Sequence, residues 1–341
     1  MGWDAEVRWD KYCFGEMWNS FLKARGFATP VVSLTFGVLT PQIIAKFGDN
    51  VTGFRAAAIF SAIAGAVFIF LHYALTEERN KTDPSVLAAK TEEQKAAEKV
   101  KITDIVTIVR KNRPFLALVL HSISLCAVQT LGTGAATYMY ADVLGDIGLQ
   151  SLGSGFSSVT MIVILISAPL LARKWNLVTI IRVCLIGGFF VMAGTLGYTL
   201  LSDTLTPWLF ITLYSLGGGL IMMSQQMQWG LVAESIDYNE YLTGKRNEGT
   251  IYGFFSLSRR IGSTISSSLT VLIIAAIGYD ATLTAAGMAQ ADGTIAGIKL
   301  MYVGFPMIAA ILSWLCFTFI WNLNDETRAK ISAWKESKVA K

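Results

Sequence analysis

The stretch Ala233–Ser268, AESIDYNEYLTGKRNEGTIYGFFSLSRRIGSTISSS, decides how the chain reads. A knot of charges, Glu234, Asp237, Glu240, Lys245, Arg246 and Glu248, leads into an otherwise apolar segment that holds Arg259 and Arg260. A helix starting near Thr250 would carry Arg260 about 15 Å inward at about 1.5 Å per residue, close to the middle of a bilayer. Charge at that depth is costly and normally faces a polar interior, a partner or a water-filled path.

Composition agrees with a membrane setting. The chain of 341 residues is 53% hydrophobic and 15% charged, with 30 glycines, and its mean hydropathy is positive. This is far from the balance of a soluble domain and reads as a polytopic, all-α integral membrane protein. Cysteines at 13, 126, 184 and 316 have no paired spacing and read as small packing residues. His72 and His121 are too isolated for a metal centre, and His121 reads as a satisfied structural histidine. Phosphate-loop, HExxH and nucleophile-elbow patterns are missing, so neither an enzyme nor a metal site is expected. The glycines at 217–219 fall in an apolar run and read as close helix packing.

Runs long enough to cross a bilayer occupy 28–47, 53–76, 114–139, 152–172, 177–201, 207–233, 250–279 and 296–322, which makes eight spans. Alternate connections carry 23 Lys and Arg on one side and 3 on the other. Basic residues concentrate in the cytoplasm, so both termini are expected there, in a multi-pass protein of the cell membrane. Residues 1–26, rich in Trp and Phe among charges, read as a cytosolic or interfacial segment. Residues 77–113 form a polar cytoplasmic linker between two spans and six, and 324–341 a cytoplasmic tail.

Polar stripes mark a candidate cavity. On the seventh span Gly253, Ser256, Arg260, Ser263 or Thr264, and Ser267 share one helical face. Hydroxyls beside a guanidinium suit a polyhydroxy or anionic solute, whereas the serines alone would suit helix packing better. The third span offers Gln129 and Thr133, and the sixth offers Gln225 and Trp229. Trp229 is either an interfacial belt residue or a platform for a sugar ring. Arg259, turned about 100° from Arg260, either pairs with an acid of the preceding loop or reaches another wall. That loop, with Asp237, Tyr238, Glu240, Lys245, Arg246 and Glu248, is a candidate cytosolic gate.

The run Asp237-Tyr238, Glu240-Tyr241, Thr243-Gly244, Arg246, Glu248-Gly249 and the following SLSRRIGS resemble the loop and span of the glycoside–pentoside–hexuronide:cation symporters. That family is a branch of the major facilitator superfamily, and among its members the chain resembles the glucuronide carriers. Similarity extends to TYMYADVLGDIGL at 137–149, AGIK at 296–299 and NLNDETR at 322–328. The resemblance implies two six-helix bundles with a sugar bound between them and uptake driven by H⁺ or Na⁺. The eight spans then look like family helices five to twelve: residues 27–76 give two helices of an incomplete N-terminal bundle and 114–323 a complete C-terminal one. Family residues that bind the coupling ion belong to the helices without counterpart here, and no other cofactor is implied. Expected partners are a sugar or glycoside and lipid, not nucleic acid, with self-association left open. The competing reading is a truncated, transport-incompetent membrane protein that persists as a fragment or interaction partner.

Overall fold

The computed structural model describes residues 43, 50–75, 108–172, 174–202, 204–244 and 247–339. All but residue 43 of the first expected span, the interfacial segment, nearly all of the linker, Lys245 and Arg246 therefore lie outside the described residues. Regular structure among the described residues is helical throughout. The chain divides into two compact units, 33–104 and the remainder. In the smaller unit α1 covers Asn50–Leu75.

In the larger unit α2 runs Arg113–Val143, α3 Leu149–Ala172, α4 Leu177–Leu201 and α5 Pro207–Thr243. The helix α6 covers Glu248–Ala276, a short α7 Ala281–Ala285, α8 Asp292–Ile320 and α9 Asp325–Val339. Five of these, α2 to α5 and α8, are long and apolar enough to cross a membrane. At 29 residues α6 has the length, but its polar stripe keeps it out of that set.

Local chemistry sets the ends. Asn112 caps α2 by accepting from Phe115 N at 3.0 Å, with Pro114 in the first turn. Asn176 does the same for α4 through Thr179 N at 2.8 Å. Each satisfies an amide that the first turn leaves open, and proline there loses nothing. The sequence reading places a loop after residue 233, yet α5 continues to Thr243. No glycine or proline interrupts 234–243, so the helix stops only at Gly244, whose φ of 70° is a left-handed cap.

Small residues decide how closely the helices approach. A Cβ placed on Gly262 of α6 would lie 2.5 Å from Ile123 O of α2. Ser266 Oγ donates to Ala127 O one turn along the same seam. The triple glycine also serves packing: Gly217 faces Val191 and Met192 of α4, and Gly219 faces Thr160 and Ile164 of α3. Without hydrophobic drive between lipid-bathed helices, such close contact and interhelical bonds hold the bundle.

The rods α2 and α8 widen into π-helix at Met139–Val143, Leu300–Gly304 and Cys316–Ile320. Pro306, which cannot donate to the carbonyl four residues back, lies two residues past the end of the second of these. At the third, Arg182 of α4 donates through Nε and Nη2 to Phe317 O, and Arg113 of α2 donates to Phe319 O at 3.0 Å. Lys299 Nζ similarly donates to Thr199 O at 2.6 Å, at the end of α4. Cations on exposed carbonyls complement the negative end of a helix.

His121 departs from its expectation. It is fully buried and its ring stands edge-on to Phe317 at 4.9 Å, but neither ring nitrogen has a hydrogen-bond partner among the described residues. Asn112, by contrast, is fully satisfied: besides capping α2 it donates from Nδ2 to Ser235 O of α5 at 2.7 Å. Replacing Asn112 with alanine removes a cap and a buried interhelical bond, an expected loss of about 2 kcal/mol. Thermal unfolding of the detergent-purified chain would register this, with Asn324→Ala, another cap but on exposed α9, shifting the midpoint much less.

Candidate functional site

The polar stripe of α6 faces away from its packing seam. Ile251, Phe255, Ser258, Gly262 and Ser266 are buried, whereas Arg260 and Ser267 are exposed and Ser256 and Ser263 half-buried. With about 100° per residue, Arg260 stands roughly opposite Gly262. The Ser263 and Ser267 hydroxyls donate to Arg260 O and Thr264 O, at 3.0 and 2.8 Å. Their oxygens keep acceptor capacity on the open face. Among the described residues Arg260 has no ion-pair partner. Glu248 opens this helix, an acid at the positive end of the dipole.

Trp229 of α5 meets the edge of α6 adjoining that stripe. Its ring lies 5.9 Å from Tyr252 and 5.3 Å, edge-on, from Phe255. The Arg259 guanidinium sits 4.9 Å from the Trp229 centroid. Of the two places expected for Arg259, this contact matches the second, with the guanidinium stacked on the Trp229 ring, a contact worth about 0.5–2 kcal/mol. The stack fixes the Trp229 ring between two helices.

The remaining predicted polar residues lie on α2 and on the α5 face against it. Gln129 and Thr133 are exposed, and Thr133 Oγ1 donates to Gln129 O at 2.9 Å. Gln225 of α5 is buried and points its Nε2 at Gln129 Oε1, 3.5 Å away, and at Cys126 Sγ, 3.7 Å away. Gln225 is therefore a strut behind Gln129 rather than a free wall group. Helices α2, α5 and α6 together present carboxamide, hydroxyl, indole and two guanidinium groups, and no carboxylate among the described residues of these stripes.

The other proposed cluster lies at the far end of α5. Asp237 Oδ1 is 2.9 Å from Lys335 Nζ, and Glu240 Oε1 is 2.7 Å from Lys338 Nζ. Glu234 binds Arg328 through Nη2 at 2.9 Å and Nε at 3.2 Å. The Tyr238 hydroxyl accepts from Asn322 Nδ2 at 3.2 Å. Sequence reasoning missed Arg328, Lys335 and Lys338, which it left in the tail. The signal available was their spacing on one helical face. On the outer side of α9, a mutual hydrogen bond pulls the Glu326 carboxyl below and pushes the Lys330 ammonium above their ordinary ranges.

A further polar cluster beyond the stripes was also missed. Asp142 accepts from Tyr279 at 3.1 Å and from Thr284 at 2.5 Å. Gln290 donates to Thr284 at 2.9 Å and to Asp280 O at 2.6 Å. These bonds tie the end of α2 to the connection after α6.

Residues 19–325 match the family model described as MFS/sugar transport protein. Among curated proteins, the chain is 24% identical over 286 residues to a putative sulfoquinovose importer of Escherichia coli, covering 84% of this chain and 57% of that one. It is 27% identical over 311 residues to a glucuronide carrier protein homolog of the same organism, covering 85% and 60%. It is 23% identical over 305 residues to an isoprimeverose transporter of Lactiplantibacillus pentosus, covering 86% and 58%. The chain thus spans less than two thirds of the length of these relatives.

Proposed function

Because the chain belongs to the MFS/sugar transport family, we propose that it takes part in cation-coupled uptake of a sugar that bears an acidic group, such as a glucuronide. The observation that carries this reading is Arg260, exposed and without an ion-pair partner among the described residues, on the hydroxyl-lined face of α6. A guanidinium there forks two hydrogen bonds to a carboxylate or sulfonate, and stays charged through any cycle. Gln129, Thr133, Ser256, Ser263 and Ser267 meet hydroxyls, while the Trp229 ring offers a flat surface to sugar C–H groups. The names of relatives that handle sulfoquinovose and glucuronides support an anionic solute.

Asp237, Tyr238, Glu240 and Glu248, with Lys245 and Arg246, form in this reading the cytosolic gate that closes below the cavity. The 23-to-3 bias of basic residues supports cytoplasmic termini in a cell-membrane protein. The coupling ion is H⁺ or Na⁺, and residues 114–323 form the bundle that carries the sugar-facing wall.

Binding separates this reading from its rivals. Detergent-purified chain is titrated calorimetrically with a phenyl glucuronide and with the matching glucoside. The expected result is preference for the glucuronide by about 10-fold or more, the worth of one charge-assisted pair. Equal affinity for both would remove the acidic group from the proposal, and binding of neither would remove the sugar site.

A further inference from the structure

The last helix is joined to α5 by matched stripes of opposite charge. On α5 the acids Glu234, Asp237 and Glu240 recur every three residues, and on α9 the cations Arg328, Lys335 and Lys338 also share a face. They pair in the same order along both helices, Glu234 with Arg328, Asp237 with Lys335 and Glu240 with Lys338. Apolar support is thin. Of the side chains of α9 whose burial is described, Ile331 alone is buried. Trp334 adds an edge-on contact with Tyr241 at 5.8 Å, and its ring carries Lys338 Nζ at 5.0 Å. A helix of 15 residues with one buried side chain cannot be held by hydrophobic burial as a core helix is.

We propose that α9 is an electrostatic clasp: charge pairing with α5 holds it in place, and screening or neutralising that charge releases it. At the outermost pair the acid is the better shielded partner, the Glu240 side chain being 10% exposed against 54% for Lys338, whereas both members of the other two pairs are mostly covered. Salt therefore reaches Lys338 first. Charges at the surface are screened within about 10 Å at 0.1 M salt and about 3 Å at 1 M. Release would expose the acidic stripe of α5. The clasp rests on the ion pairs alone and stands whatever solute the chain binds.

Amide hydrogen exchange on the full chain in lipid nanodiscs tests it. Raising NaCl from about 0.05 to about 1 M is expected to speed exchange in 325–339 roughly 10-fold, while α4 is unchanged as an internal reference. The double variant Lys335→Gln and Lys338→Gln should exchange fast already at low salt. Pairing Asp237→Lys with Lys335→Asp should restore slow exchange that either change alone removes. Exchange in 325–339 that ignores both salt and the double variant, yet rises in Ile331→Ala, would overturn the clasp in favour of apolar docking. A charge-swapped pair no slower than its single variants would overturn it equally. The salt series on unaltered protein needs no variant to fold.

Discussion

Gly262→Leu is expected to leave little folded protein in the membrane. The added Cβ would sit 2.5 Å from Ile123 O, 3.1 Å from Ile123 Cα and 3.2 Å from Ile123 C, all backbone atoms of α2. No rotamer change relieves a clash with backbone, so α6 must move off α2 or tilt. Separating the two helices also breaks the Ser266 bond to Ala127 O and opens the Gly134 contact with Thr270. Overpacking of a well-filled seam costs about 1–3 kcal/mol and occasionally more, and an obstruction by backbone belongs at the top of that range. Gly253→Leu is the control: a Cβ there meets nothing within 4 Å, so its unfolding midpoint should stay close to that of the parent. Equal stability of the two variants, measured by thermal unfolding in detergent, would contradict the seam described here.

Arg260→Ala is expected to weaken binding of a carboxylate-bearing sugar while sparing a neutral one. Arg260 is exposed on the open face of α6 and makes no ion pair among the described residues, so its loss costs the fold little. A hydrogen bond to a charged group is worth about 1.5–3 kcal/mol, or roughly 10- to 150-fold in affinity. Arg260→Lys keeps the charge but not the planar fork, and should fall between the two. The check is calorimetric titration with a glucuronide and a glucoside across the three proteins. Parallel losses for both ligands would mean that Arg260 shapes the cavity without meeting the acid.

Helix positions were legible because an apolar run long enough to span a bilayer is a one-dimensional signal. Seven of the eight expected spans coincide with described helices, and the first, 28–47, lies outside the described residues but for residue 43. What a helix meets is a three-dimensional matter, and there the reading thinned. The extension of α5 to Thr243 was hidden because its charges and tyrosines look like a loop, although they are adequate helix formers once one face is paired. Its partners Arg328, Lys335 and Lys338 lie 94 to 98 residues away, a separation that no local period reports. For Arg259 the sequence offered an acid or a second wall, and the choice of Trp229 depended on how α5 and α6 cross. Gln225 was legible as polar but not as a strut, because that depended on Gln129 lying within reach.

The polarity of α6 has a consequence for how the protein is made. A segment carrying Arg259 and Arg260 near its middle is disfavoured in lipid by about 2.5–3.5 kcal/mol per arginine on insertion scales. Helices α2 to α5 can each partition from the translocon on their own account, but α6 cannot. It should therefore be retained only once α2 waits beside it to accept the Gly262 and Ser266 face, which places membrane integration of α6 after synthesis of its neighbour.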